Sequence, residues 1–154
     1  MTIKPFKLLR RRILALVALA PAISSCKASP MTVTLDIVFF NYLNRPIFDA
    51  FIDGEAGGVS FPYPDTGGST ISGVRLRLGP KIVTWTLDGP KGMPRNGETV
   101  VARNKLELLQ PPSNTEFLAV HIYPDETVEL IPTIHYPRAT EKGIAMARAA
   151  QERR

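Results

Sequence analysis

The stretch TVTLDIVFFNY, Thr32–Tyr42, sets the pattern for the chain. Its apolar residues recur at every second position, at Val33, Leu35, Ile37 and Phe39. That period is typical of a β-strand with one face in a hydrophobic core, because successive side chains of a strand point to opposite faces. The sequence therefore predicts a strand here, and several later segments repeat the pattern.

The segments that follow predict short strands between glycine and proline turns. RPIFDAFIDG (45–54) predicts a second strand, and GGVSFPYP (57–64) predicts a short third one. TISGVRLRLG (70–79) and KIVTWTLDG (81–89) both alternate, and the tight connection LGPK between them predicts a hairpin. TVVARNKLELL (99–109) fits either a strand or a short helix.

The two histidines of the chain fall in a predicted closing hairpin, formed by TEFLAVHIYP and TVELIPTIHYP around the turn PDE. That pairing places His121 opposite Leu130 and His135 opposite Glu116, so the imidazoles lie far apart. No His-x-His or His-x-x-x-His spacing occurs, as a metal site on one strand or helix would require. We expect both histidines to be surface or hydrogen-bonded strand residues and expect no metal.

These segments predict a fold that is mainly β: a single antiparallel β-sandwich-like domain over residues 32–138 with about seven short strands. Prolines near the strand ends suit edge and turn positions. The Ala-rich residues 139–154 predict a helical or disordered tail. A frayed surface helix is the expected form, because Gly143 lowers helix propensity and the apolar face is thin.

Catalytic motifs are missing from the sequence. It contains no Gly-x-Ser-x-Gly elbow, no phosphate-binding loop and no dinucleotide fingerprint, so we expect neither an enzyme nor a cofactor. A Ser–His–Asp site assembled only in space stays open. Trp85 alternates with Val83 and Leu87 and is expected in the core, although a sugar platform with the tyrosines is the alternative.

The first 25 residues have the layout of a secretory signal peptide. Lys4–Arg12 carries five basic residues, Ile13–Ala20 is apolar, and Pro21 ends the run. The formal charge of +5 comes from this segment, because 19 − 5 leaves 14 basic against 14 acidic residues after it. The remainder is formally neutral, which argues against nucleic acid as a partner.

Cys26 follows this segment and is the single cysteine of the chain. Ile-Ser-Ser-Cys resembles the lipobox of bacterial lipoproteins, which implies cleavage before Cys26 and acylation of its thiol. Residues 26–31 would then be a lipid-anchored tether of at most roughly 20 Å. Lys27, where an Asp favours inner-membrane retention in enteric bacteria, points to a periplasm-facing outer-membrane protein. An incidental cysteine in an ordinary signal peptide is the alternative.

Seven short motifs are spread along the predicted domain. They are Asn41-Tyr42, Arg45 to Ile47, Ile52 to Gly54, Gly67-Gly68, Val83 to Thr86, His121 to Pro124 and Tyr136-Pro137. In this order they resemble an uncharacterised family of small bacterial lipoproteins that contain a domain of unknown function. The resemblance covers most of residues 37–138, with one departure: Ile71-Ser72 stands where many members have a Cys-Cys pair.

The resemblance implies a binding role, because such lipoproteins are similar to those encoded near type VI secretion effectors, especially lipases. It implies an immunity protein that occludes a lipase with two loops, PYPDTGGST and GPKGMPRNGE. The alternative is a structural or assembly lipoprotein of the cell envelope with a stable protein partner. The candidate partner-binding residues are Asp65, Thr66, Gly67, Gly68, Met93, Arg95 and Asn96.

Overall fold

The computed structural model describes residues 31–152, so Cys26 and the predicted signal segment lie outside the described residues. The described chain forms ten strands and one helix. In chain order these are β1 Thr32–Asn41, β2 Ile47–Ile52, β3 Glu55–Ser60, β4 Thr70–Arg77, β5 Gly79–Lys81, β6 Val83–Leu87, β7 Thr99–Val101, β8 Leu106–Leu108, β9 Phe117–Ile122, β10 Val128–Thr133 and α1 Glu141–Glu152.

The strands form two four-stranded sheets and one two-stranded ribbon. The first sheet has the order β10-β9-β1-β4, the second has the order β3-β2-β6-β7, and β5 pairs with β8. The mainly β, sandwich-like fold is as predicted, but β1 and β9 pair in parallel, from Asp36↔Phe117 to Asn41↔Ile122. A parallel pair needs a long crossover, and here the whole second sheet lies between the two strands in sequence.

The main hydrophobic core lies between the two sheets. Leu35, Ile37 and Phe39 of β1 are buried in it, as the alternation of that segment predicts. Trp85 is fully buried in the same core, which confirms its expected place. Each of these side chains is shielded because the two sheets bring their apolar faces together.

A second, smaller core lies on the opposite face of the first sheet, beneath α1. Val38 and Phe40 of β1, and Tyr42 directly after it, are buried there with Ala147 of the helix. Because both faces of β1 are covered, the domain has three layers: helix, first sheet and second sheet. The C-terminal helix predicted within residues 139–154 is present as α1, and it packs on the first sheet, because Gly143 and Ala147 are buried.

The predicted hairpin over residues 70–89 is wrong. β4 pairs with β1 in the first sheet, whereas β6 pairs with β2 and β7 in the second. The connection LGPK is itself a strand, β5, because it pairs with β8 from Gly79↔Leu108 to Lys81↔Leu106. It therefore carries the chain from one sheet to the other. The ambiguous segment 99–109 forms the two short strands β7 and β8.

The predicted closing hairpin exists as β9 and β10, but its register differs by one residue. His121 lies opposite Glu129 rather than Leu130, and His135 lies beyond the end of β10. The shift arises at the turn, where Ile122 pairs with Val128 and five residues connect them. Glu126 adopts a left-handed φ of 64° in that turn, which the sequence pattern did not indicate.

Candidate functional site

One end of the sandwich gathers both loops that the sequence singled out. β1 ends at Asn41, whose N–H donates to Thr66 Oγ1 at 2.6 Å in the β3–β4 loop. Four residues later, Arg45 reaches Asn96 in the β6–β7 loop. Tyr42 N–H donates to the carbonyl of Ile122, next to the β9–β10 turn. We call this the loop end, which consists of residues 42–46, 61–69, 88–98 and 123–127.

Asn41 is fully buried and holds the loop end together from inside. Its Nδ2 donates to the carbonyl oxygens of Arg45 at 2.8 Å and Ser60 at 3.0 Å. Its Oδ1 accepts a hydrogen bond from Leu43 N–H at 2.9 Å. A buried side-chain amide is costly unless it is hydrogen-bonded, so this satisfied set fixes three segments relative to one another.

Arg45 does the same for the β6–β7 loop. Its guanidinium is almost fully buried, and it donates through Nε to the carbonyl of Asp88 and through Nη1 to that of Pro94, both at 2.7 Å. Its Nη2 donates to Asn96 Oδ1, and Asn96 Nδ2 in turn donates to the carbonyl of Gly89 at 3.1 Å. The planar, five-donor guanidinium suits this arrangement, which fixes the loop conformation.

A cleft of about 410 Å³ opens beside Arg45. At its mouth Arg95 forms ion pairs with Glu126 at 2.8 Å and with Glu98 at 2.7 Å. The hydrogen bond from Arg95 lowers the pKa of the Glu98 carboxyl. The cleft is lined by Leu43, Asn44, Arg45, Leu87, Arg95, Pro124, Glu126 and Ala150.

A second cleft, of about 350 Å³, lies at the β3–β4 loop. It is more apolar than the first, and Phe61 at its edge exposes 58% of its surface. Its floor includes Gly67, where a φ of 74° and contact with the Phe40 ring leave no room for a larger side chain. The lining residues are Val59, Ser60, Phe61, Asp65, Gly67, Gly68 and Ser69.

The seven predicted partner-binding residues divide into two groups by position. Asp65, Gly68 and Arg95 are exposed on the loops and available for contact. The other four maintain the loops: three are buried or half-buried, and Asn96, although it is exposed, is hydrogen-bonded through its side chain. These four are Thr66, Gly67, Met93 and Asn96.

A ladder of buried rings lies beneath α1, adjoining the loop end. His121 stacks on Phe40 at 4.7 Å and on Tyr42 at 5.9 Å, and Tyr42 stacks on Tyr123 at 5.4 Å between ring centroids. Tyr42 Oη accepts a hydrogen bond from Thr140 N–H at 2.8 Å and lies 3.0 Å from His121 Nδ1. The tyrosine hydroxyl and the imidazole are therefore hydrogen-bond partners.

Burial controls the protonation of this ladder. Desolvation lowers the pKa of His121 to about 4, and it raises the pKa of both Tyr42 and Tyr123. Tyr123 Oη donates to Glu129 at 2.6 Å, and Lys142 donates to the other oxygen of Glu129 at 2.7 Å. Lys142 also lies 4.1 Å above the Tyr123 ring. These contacts attach the helix to the first sheet.

The side chains of residues 31–152 include no group of three or more His, Cys, Asp or Glu that could hold a metal ion. His121 is enclosed by rings, and His135 is exposed at the far end of β10. Over the same residues, no helix has the length and apolar character to cross a membrane.

Two residues that organise the loop end, Asn41 and Arg45, were not among the candidate residues. Both belong to the motifs that carry the family resemblance, and that was the signal available in the sequence. Arginine is rarely buried without a carboxylate partner, so the sequence alone indicates that Arg45 is an exposed turn residue. Its carbonyl partners in the β6–β7 loop become visible only in the fold.

Comparisons of the chain with protein-family models, with curated proteins and with solved structures found no match. What the loop end can bind therefore follows from its own geometry. It combines loops fixed from inside, two clefts, an exposed aromatic ring at Phe61 and an ion-paired cation at Arg95.

Proposed function

We propose that this chain is a lipid-anchored, protein-binding module of the cell envelope whose loop end binds a secreted lipase and occludes its active-site mouth. The lipase and its delivery by type VI secretion come from the family resemblance. The binding surface comes from the arrangement of the loops. In this role the protein is an immunity protein on the periplasmic side, with the outer membrane as the proposed location.

The observation that supports the proposal most strongly is the internal fixing of both loops. Asn41 and Arg45 satisfy their hydrogen bonds inside the domain, so the loops hold one conformation before any partner arrives. Binding through preorganised loops loses less conformational entropy than binding through mobile ones. Phe61, Asp65 and Arg95 remain exposed on these loops, and an aromatic ring and an arginine are typical anchors of protein interfaces.

The position of the chain entry also supports the proposal. Met31 lies at the start of β1 and the loop end lies at its other end, ten residues later, a span of roughly 33 Å. An anchor at Cys26 would therefore hold the loop end away from the bilayer, facing the periplasm. Tethering also raises the effective concentration of an inhibitor at the membrane where a lipase acts.

The proposal is tested by co-expressing the full chain with a type VI secretion lipase that is exported to the periplasm, and by scoring growth. We expect the wild-type chain to protect, and we expect the variants Phe61→Asp and Arg95→Glu to lose protection. Val101→Asp is the matched control, because Val101 exposes 55% of its surface in β7, outside the loop end.

Two outcomes would contradict the proposal. Full protection by both loop-end variants would show that another surface binds the lipase. Defective secretion in a strain that lacks the chain, with unchanged resistance to the lipase, would instead favour the assembly role. Immunoblots of each variant in the membrane fraction exclude loss of the protein as the cause.

A further inference from the structure

Exposed apolar residues flank the β5–β8 ribbon. Alternation directs Lys81, Leu106 and Leu108 into the domain, where they are buried, whereas Pro80 and Glu107 pair on the outward side. Ile82 and Leu109 come directly after the last residues of β5 and β8, two positions after Pro80 and Glu107, and both are exposed. Apolar side chains are therefore exposed where each ribbon strand ends.

Ile82 and Leu109 are among the most exposed large apolar side chains of the described residues. Among the large apolar residues of 31–152, the three most exposed are Leu109 at 68%, Met31 at 63% and Ile82 at 63%. Met31 borders the ribbon, because its carbonyl accepts a hydrogen bond from Leu78 N–H at 2.9 Å, and Leu78 precedes Gly79 of β5. One surface thus concentrates the apolar groups that are least covered.

Basic residues lie beside this surface, and Glu55 lines a cleft together with one of them, Arg77. Lys105 is exposed directly before β8, and Arg77 is exposed on β4 where it pairs with Thr32, the neighbour of Met31. Glu107 is the carboxylate on the outward side of the ribbon strands. The nearby carboxylate of Asp53 forms an ion pair with Lys81, with 2.5 Å between Oδ2 and Nζ. Apolar side chains flanked by Lys and Arg match the chemistry of an anionic phospholipid surface.

The chain that precedes the described residues ends at this surface. Four residues lie between Cys26 and Met31, which gives a reach of at most roughly 20 Å. Resting on the lipid anchor of the proposed function, we propose that the β5–β8 ribbon contacts the anionic bilayer that carries the anchor. Ile82, Leu109 and Met31 enter the interfacial region, and this second contact orients the loop end toward the periplasm.

The test uses the full-length chain, processed and acylated in cells and reconstituted into vesicles of phosphatidylethanolamine and phosphatidylglycerol. Because Cys26 is the single cysteine, each variant Ile82→Cys, Leu109→Cys or Gly68→Cys adds the one free thiol for an environment-sensitive fluorophore. Positions 82 and 109 are exposed, as is position 68 at the loop end, which serves as the matched control.

We expect the emission at positions 82 and 109 to shift to the blue and to be quenched by lipid-borne quenchers at least about twofold more than at position 68. Replacing phosphatidylglycerol with phosphatidylcholine should reduce that difference, because Lys105 and Arg77 lose anionic partners.

Three results would contradict the proposed membrane contact, and each has a different cause. Labels that remain water-exposed on a chain that has incorporated palmitate would overturn the ribbon contact and leave the anchor intact. A blue shift without lipid quenching would show that protein, such as a second copy, covers the ribbon, and would also overturn it. A chain that incorporates no palmitate and leaves the vesicles would overturn the anchor and the ribbon contact together.

Discussion

Gly143 decides how closely α1 approaches the first sheet. A Cβ at this position would lie 2.1–2.4 Å from ring carbons of Tyr42, so the missing side chain creates the space for the tyrosine. Sequence reasoning took this glycine as a weakness of the helix, since propensity alone disfavours it. Tertiary packing reverses the expected effect of Gly143 on stability, because the glycine permits the contact with Tyr42 that buries the helix.

Gly143→Ala should destabilise the protein by about 1–3 kcal/mol although it raises helix propensity, because the methyl group forces the helix off Tyr42. The free energy of unfolding from urea titration measures the effect. Ala145→Leu, which adds bulk at an exposed position of the same helix, should change it by less than about 0.5 kcal/mol. A stabilising Gly143→Ala would contradict the packing described.

His121 should make stability depend on pH. Its folded-state pKa of about 4 lies below the ordinary value of 6.5, so the unfolded chain binds a proton that the native protein excludes. Stability from this group is complete above about pH 6.5 and falls as the pH drops toward 4, by up to about 3 kcal/mol. Urea titrations across this pH range measure the slope.

The variant His121→Phe should flatten the pH dependence between pH 6.5 and 4, and it should also lower stability at neutral pH because the Tyr42 hydroxyl loses its imidazole partner. His135→Gln is the matched control, since His135 is exposed and should leave the slope intact. An unchanged slope in His121→Phe would show that carboxylates, and not His121, cause the acid sensitivity.

At the scale of elements, the sequence predicted strands whose burial follows a simple period. β1, β6 with Trp85, and the β9–β10 hairpin were found this way, because one alternating face of each packs in a core. The failures occur where pairing partners are distant. Nothing local shows that β5 leaves its neighbours to pair with β8, or that β1 pairs in parallel with β9.

The candidate site was predictable in part for the same reason. Turn composition located both loops of the loop end, because glycine and proline mark turns locally. It did not distinguish residues that face outward, such as Asp65, from those that maintain the loop, such as Asn96. That distinction depends on Asn41 and Arg45, whose partners Thr66 and Asn96 in these loops lie 25 and 51 positions away in the sequence.

The β6–β7 loop should loosen when Arg45 is replaced by Met, which keeps an unbranched side chain but removes every donor. We expect a loss of about 2–3 kcal/mol in stability, because the Asp88 and Pro94 carbonyls lose their partner. Hydrogen exchange should accelerate in residues 88–98. Arg148→Met, on the exposed side of α1, is the control. Unchanged exchange in the loop would refute the role assigned to Arg45.

For the molecule as a whole, a lipid anchor at Cys26, as predicted, would give the two ends of β1 different surroundings. The chain enters at Met31, the ribbon lies beside that entry, and the loop end lies at the other end of β1. An anchor, a membrane-facing surface and a binding surface then follow one another along a single axis.

Metabolic labelling with radioactive palmitate should mark the wild-type chain and place it in the membrane fraction. Cys26→Ser should abolish both labelling and processing, because it removes the thiol that accepts the lipid. Ser25→Ala keeps a small residue before the cysteine and should leave labelling unchanged. Continued processing and membrane retention of Cys26→Ser would refute the anchor.

Binding of a lipase by the loop end is tested by hydrogen–deuterium exchange of the chain with and without the bound lipase. Exchange should slow in residues 61–69 and 88–98 on binding, while the β5–β8 ribbon keeps its free-state rate. Protection confined to the ribbon or to α1, with both loops unchanged, would contradict the loop end as the binding surface.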